Sequence, residues 1–275
     1  MWDFFEPAER TWYRWELDGA SVWLHKSGDE WRAAVDSIGF RQLASAPKPV
    51  RSGPSRRGGP ATGGPFPTPK GPDLPLLITV ARSRRIALRP VMPLPPFLIA
   101  ANNEVAVMRG QETSFIVDLP VFLRFELESG EFIGEWRPFA LSNPWFGDKE
   151  DGLLCLSIPT ALDPICRDEE MDASLARPRP GSLARCTIRL RNDTKSTLDL
   201  RLLVVHAELL AVYGGAGVLS TDGILVDGLP DGGLRTSVIH EGPPPGTRLL
   251  SPARMGQSEF FMRRGANFLR AITGL

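Results

Sequence analysis

Cysteine and histidine are both scarce in this chain, which has three of each among 275 residues. The spacing of Cys155, Cys166 and Cys186 lacks the close pairs of a zinc site, and an odd count does not suit a disulfide framework. The three histidines are isolated from one another. The sequence therefore predicts no metal site.

The sequence motifs of common catalytic and cofactor sites are also lacking. There is no glycine-rich dinucleotide or P-loop pattern, no His-Glu-x-x-His and no Gly-x-Ser-x-Gly. Cys186 and His206 could form a nucleophile–base pair if their strands met, but pairing around the intervening turn would place Cys186 opposite Leu202. We therefore predict no cofactor and no catalytic residue.

The chain has no excess of charge of one sign, with 32 basic and 32 acidic residues. Without a net field, a nucleic-acid partner is not predicted. No window reaches about 18 uninterrupted apolar residues, so no transmembrane helix is predicted. The first residues lack a basic region followed by an apolar core, so no signal peptide is predicted and a cytoplasmic location is expected.

Glycine and proline, by contrast, are abundant, at 27 and 26 residues, which is typical of short strands joined by turns. The stretch 184–213 shows the strand pattern most clearly. Apolar residues alternate with polar ones from Ala184 to Leu190, the cluster Asn192–Ser196 interrupts them, and alternation resumes at Leu198. We interpret this as an antiparallel hairpin whose apolar face needs a second sheet to cover it. The predicted fold is all-β, with one or more antiparallel β-sandwiches of immunoglobulin-like character.

The chain divides into three predicted regions. Residues 1–162 form a β-rich region interrupted by a disordered, basic, Pro/Gly-rich loop at about 47–75. Residues 182–256 form a second sheet region packed on the first. Residues 258–273 form an amphipathic helix, because the apolar positions repeat at helical spacing. Its apolar stripe consists of Phe261, Gly265, Phe268 and Ile272.

Two places are candidates for binding. The loop around Trp145 and Phe146 sets two aromatic residues beside Asp148 and Asp151, a combination that can hold a sugar or a cation, although the aromatics can equally plug one end of a sandwich. Phe261 and Phe268 of the predicted helix form the second candidate.

Four stretches of the sequence carry a resemblance to a known family. They are Leu17–Leu24 with Asp29–Arg32, the loop Leu141–Gly147 with Gly152–Cys155, Ile188–Asn192, and Leu209–Tyr213. On these stretches the chain resembles the uncharacterised prokaryotic family catalogued as domain of unknown function 432. The resemblance implies no activity. It does imply a membrane-protein partner such as a mechanosensitive channel, since genes of the family accompany channel genes.

The predicted function is a non-enzymatic binding or assembly module, with a protein partner or a second copy held by the C-terminal helix. The alternative is a carbohydrate-active or other hydrolase that uses Asp148, Glu150 or Asp151.

Overall fold

A computed structural model describes residues 2–17, 20–39, 66–68, 70–147, 152–160, 182–215, 218–230, 234–240 and 242–256. Apart from one 3-10 turn, Ala207–Leu209, the regular structure of these residues is β, which confirms the predicted all-β class. The C-terminal helix predicted over 258–273 lies outside the described residues. Within them, no helix is long and apolar enough to span a membrane. The strands are β1 Trp12–Leu17, β2 Ala20–Ser27, β3 Glu30–Gly39, β4 Phe66–Thr68, β5 Leu77–Val80, β6 Ile86–Val91, β7 Phe97–Val107, β8 Glu112–Pro120, β9 Phe122–Leu127, β10 Phe132–Trp136, β11 Phe139–Ala140, β12 Trp145–Phe146, β13 Leu153–Leu154, β14 Leu156–Thr160, β15 Leu183–Asn192, β16 Leu198–Val205, β17 Val212–Gly215, β18 Val218–Thr221, β19 Gly223–Gly228, β20 Leu234–Ile239 and β21 Arg248–Ser251.

The first sandwich encloses an aromatic core. One sheet has the order β11-β3-β2-β1-β4, with β5 also paired to β3, and the facing sheet has the order β10-β9-β6. The two sheets meet through side chains that alternate inward along each strand. Trp15 and Trp31 are fully buried, as expected of strand aromatics, and Trp15 packs on Phe125 of the facing sheet. The other core residues are Leu17, Ala20, Val22, Leu24, Ala33, Ile86, Leu88, Leu123, Leu127 and Ile133.

The second sandwich has a mainly aliphatic core. One sheet has the order β14-β7-β16, and the other contains β8, β15 and β17–β21. Its core includes Phe97, Ile99, Phe115, Val117, Leu156, Cys186, Ile188, Leu203, Ile224 and Val226. Because β8 pairs with β15 along nine residues, the first 162 residues also contribute to this core. The division of the chain into domains stays a prediction.

The central hairpin predicted from 184–213 is wrong. Strand β15 pairs with β8, β18 and β19, while β16 pairs with β7 in the opposite sheet. The two strands therefore face each other across the core instead of sharing a sheet. The reason lies in the polar cluster, which we call the polar arch (residues 192–197). Within it the buried Asn192 donates from Nδ2 to Val107 O at 2.7 Å and to Ser196 O at 2.9 Å, which ties the crossing chain to β7.

Some strands pair in parallel, which the alternation of apolar and polar residues in the sequence did not indicate. Most pairs are antiparallel, but β15 runs parallel to β18 and β19, β14 runs parallel to β7, and β11 runs parallel to β3. The immunoglobulin-like character of the sandwiches stays a prediction.

The basic loop predicted over 47–75 contains a strand. Phe66–Thr68 forms β4, which pairs antiparallel with Trp12–Arg14 of β1. Pro67 suits this place, because a proline costs a sheet little at its edge. The rest of the loop up to residue 65 lies outside the described residues.

Candidate functional site

The aromatic pair singled out in the sequence lies at the rim of a groove. Trp145 and Phe146 form the short strand β12, which pairs with Leu154 and Leu153 of β13. Both aromatic side chains are exposed, so they do not plug the sandwich, and Phe146 lines the groove. Asp148, Glu150 and Asp151 lie outside the described residues, as do Phe261 and Phe268.

This groove, which we call the apolar groove, encloses about 500 Å³. Strands β16 and β20 supply two of its walls. Leu202 and Leu234 are each 47% exposed, and Phe146 is 38% exposed, so large apolar side chains here meet solvent. The described residues that line it are Phe146, Leu153, Leu202, Leu203, Val204, His206, Leu209, Leu210, Ile224, Leu229, Leu234, Arg235, Thr236, Ser237 and Val238.

The apolar groove exists because two sheet margins meet there. Among the described strands, β16 is the outermost of its sheet and β20 is the outermost on one flank of the other sheet. Facing sheets lie about 10 Å apart, so the core between two margins stays open unless another element covers it. Here the buried Leu203 and the exposed Leu202 of β16, together with Leu234 of β20, line an opening instead of a closed core.

Charged groups flank the apolar lining and are paired with each other. The Arg235 side chain donates from Nη2 to Asp227 Oδ2 at 2.8 Å, and Arg191 forms an ion pair with the other oxygen of Asp227 at 2.8 Å. The His206 ring nitrogen Nδ1 lies 3.3 Å from Glu208 Oε1. These pairs leave the apolar side chains as the feature that a ligand would recognise.

Asp222 fastens the neighbouring strands together. It lies between β18 and β19, where one long strand is interrupted, and it is 4% exposed. Its Oδ2 accepts from Ala211 N at 2.7 Å, and its Oδ1 accepts from Tyr213 Oη at 3.0 Å and lies 3.2 Å from His240 Nδ1. The carboxylate therefore joins the start of β17 to the end of β20.

Tyr213 provides a pH-dependent test of this arrangement. Burial, followed by the Asp222 carboxylate, raises the pKa of the Tyr213 hydroxyl from 10.0 to about 12. The folded chain holds this proton more tightly than the unfolded chain. The associated stability is therefore complete below pH 10 and is lost as the pH rises towards 12. We expect Tyr213→Phe to cost about 1 kcal/mol at neutral pH and to reduce the alkaline loss by the part that is due to Tyr213, as measured by urea unfolding from pH 7 to 11. An unchanged alkaline loss in the variant would contradict the assignment.

The Cys186–His206 pair does not form. Cys186 is fully buried, as its place in the apolar series predicted, and its Sγ donates to Asp222 O at 3.6 Å. Burial raises the pKa of its thiol to about 12, so the thiolate required of a nucleophile is not populated at neutral pH. His206 lies at the apolar groove and contacts Glu208 instead.

Groups of three or more potential metal ligands do not occur among the described residues. The polar clusters at this site are ion pairs or hydrogen-bonded groups, and the groove that they flank is lined mainly by apolar side chains. Chemically, the arrangement suits the burial of an apolar surface.

Comparison with known proteins places the chain in a family. The family described as protein of unknown function (DUF432) has a model that matches residues 1–268. The chain belongs to this family. Searches of curated proteins and of solved structures each return no match. The stretches that carried the resemblance include Phe146 and Leu153 at the groove rim and Leu209 and Leu210 in its lining, so the family match covers this site.

Most groove residues could not be found from the sequence. Leu202 belongs to an alternating strand, and its neighbour Leu203, not Leu202, points into the core after an irregularity in the β16–β7 register at Leu200 and Leu202. Leu234 is the first residue of β20, and its local sequence does not distinguish it from other strand residues. Only the aromatic pair in the loop at Phe146 indicated a binding site from the sequence, because exposed aromatic residues in loops are typical of binding sites.

Proposed function

We propose that the chain is a non-enzymatic binding module whose binding surface is the apolar groove. The observation that carries this proposal is the exposure of Leu202, Leu234 and Phe146 around one continuous opening of about 500 Å³. Large apolar side chains grouped at a concave surface favour a ligand that removes them from water.

The ligand that we propose is an amphipathic helix of a protein. A helix with its side chains has a diameter of about 10–12 Å, which is close to the spacing of about 10 Å between facing sheets. Burial of the three exposed side chains would contribute about 25 cal/mol for each Å² removed from water. A helix docked by its apolar face satisfies its own main-chain hydrogen bonds, so a groove lined by side chains suffices to hold it.

The partner that we propose is a membrane protein, such as a mechanosensitive channel, bound at its cytoplasmic side. The support is the gene association that the family resemblance implies. In this proposal the module recognises an apolar stripe on a helix that the partner exposes to the cytoplasm.

A photo-reactive amino acid placed at position 202 or 234 of the full chain, in its native cells, tests the proposal. We expect adducts with a membrane protein whose linked peptide has apolar residues at helical spacing. The matched control is position 108, because Met108 is also exposed, at 62%, but does not line the groove. Equal adducts from position 108, or no adduct from either groove position, would contradict the proposal.

A further inference from the structure

The described chain ends beside the apolar groove. The backbone nitrogens of Arg254 and Met255 both donate to Glu208 O, at 2.9 Å and 3.1 Å. Glu208 lies in the 3-10 turn directly before Leu209 and Leu210, which line the groove. The described residues therefore end beside the turn that leads into two groove-lining residues.

The position of this exit is fixed by more than its backbone. The Arg254 guanidinium donates to Met92 O, and its Nη2 lies 2.5 Å from Glu135 Oε1. Its side chain is only 17% exposed. These contacts fix Arg254 against Met92, which follows β6, and against Glu135 of β10.

From this placement we infer that residues 258–273 dock their apolar stripe into the apolar groove of the same molecule. The inference rests on the proposed function of the groove and names the ligand that competes with the partner. A connection of two residues, 256 and 257, covers about 7 Å when extended, which is enough to begin a helix at the groove.

The dimensions of the two surfaces agree. From Phe261 to Ile272 the predicted stripe spans 11 residues, or about 17 Å along a helix axis. The groove residues of β20, from Leu234 to Val238, span about 13 Å of strand. The stripe is thus long enough to cover this wall.

The segment also needs a surface to dock on. A helix of about 15 residues is marginal in water on its own, and Gly265 in its middle weakens it further relative to alanine. Glycine permits close approach of the helix backbone to a neighbour, and the groove offers that neighbour. A partner helix that recognises the same groove must displace the segment, so the segment acts as an internal competitor.

The test uses the purified full chain with the photo-reactive amino acid at position 202 or 234. We expect links within one molecule to peptides from 257–275, and none of these from position 108. Links between two molecules, or links only to peptides outside 257–275, would overturn the inference.

A second measurement separates this inference from the proposed function. In native cells, Phe268→Glu should raise the yield of the partner adduct from position 202 at least about fivefold, because the competitor no longer docks. The matched control is Asn267→Glu, on the opposite face of the predicted helix, which should leave the yield unchanged. An unchanged yield with Phe268→Glu overturns the competition while the adduct itself still supports the proposed function, whereas loss of the adduct in every variant would overturn both.

Discussion

Replacing Asp222 with alanine should lower the free energy of unfolding by about 3–5 kcal/mol, since a buried carboxylate with several partners is removed from all of them at once. The buried donors Ala211 N and Tyr213 Oη lose their carboxylate acceptor, and His240 loses its contact as well. The melting temperature should fall on the order of 10 °C.

Urea unfolding at neutral pH checks this prediction. Asp222→Asn should also be destabilising, because an amide has one acceptor oxygen where the carboxylate has two. The matched control is Asp199→Ala, which removes an exposed carboxylate of β16 and should change stability by no more than about 0.5 kcal/mol. A loss below about 1 kcal/mol for Asp222→Ala would show that the joined strand ends are not held by this residue.

Removing the side chain of Asn192 should cost about 2–4 kcal/mol, because both ends of its amide are used inside the protein. Its Nδ2 donates to Val107 O and Ser196 O, and its Oδ1 accepts from Thr194 N at 3.0 Å. Asn192 is completely buried, so water cannot replace these partners in Asn192→Ala without entering the core.

The isosteric variant Asn192→Asp sharpens this second prediction. It keeps an acceptor for Thr194 but places a carboxylate against two carbonyl oxygens, so it should be at least as destabilising as alanine. Asn143→Ala serves as the control, since Asn143 is exposed and has one side-chain contact, with Arg137 at 3.2 Å. If the Asn192 and Asn143 variants lowered the melting temperature equally, the polar arch would not hold the two sheets together.

The sequence predicted which residues form strands better than it predicted which strands pair with each other. Alternation from Ala184 to Leu190 correctly placed Cys186 in the core. A period of two says which side chains share a face, but it does not say whether two consecutive strands lie side by side or opposite each other. The polar cluster after Arg191 was compatible with both, and the long-range bond from Asn192 to Val107 decided it.

The candidate site was predictable only at its rim. Phe146 was found because an aromatic pair in a loop is unusual, whereas Leu202, Leu203 and Val238 are ordinary strand residues until two sheet margins are brought together. No local pattern encodes that meeting, since β16 and β20 belong to different sheets. The carboxylates at 148, 150 and 151 lie outside the described residues, so the hydrolase alternative stays a prediction.

The position of β15 has a consequence for how fast the chain can reach its native state. Cys186 pairs with Val117, about 70 residues earlier, and Ile188 pairs with Ile224 in parallel, well beyond the polar arch. Because β15 does not pair with the strand that follows it, its sheet gains nothing from a quick local hairpin. Each of these strand pairs can form only after a long loop has closed, which costs conformational entropy. Folding therefore belongs to the slow, millisecond-to-second class of β proteins. Until β15 has both neighbours, its apolar face and strand edges stay open to other chains, so a newly made molecule is most at risk of aggregation before this one strand is in place.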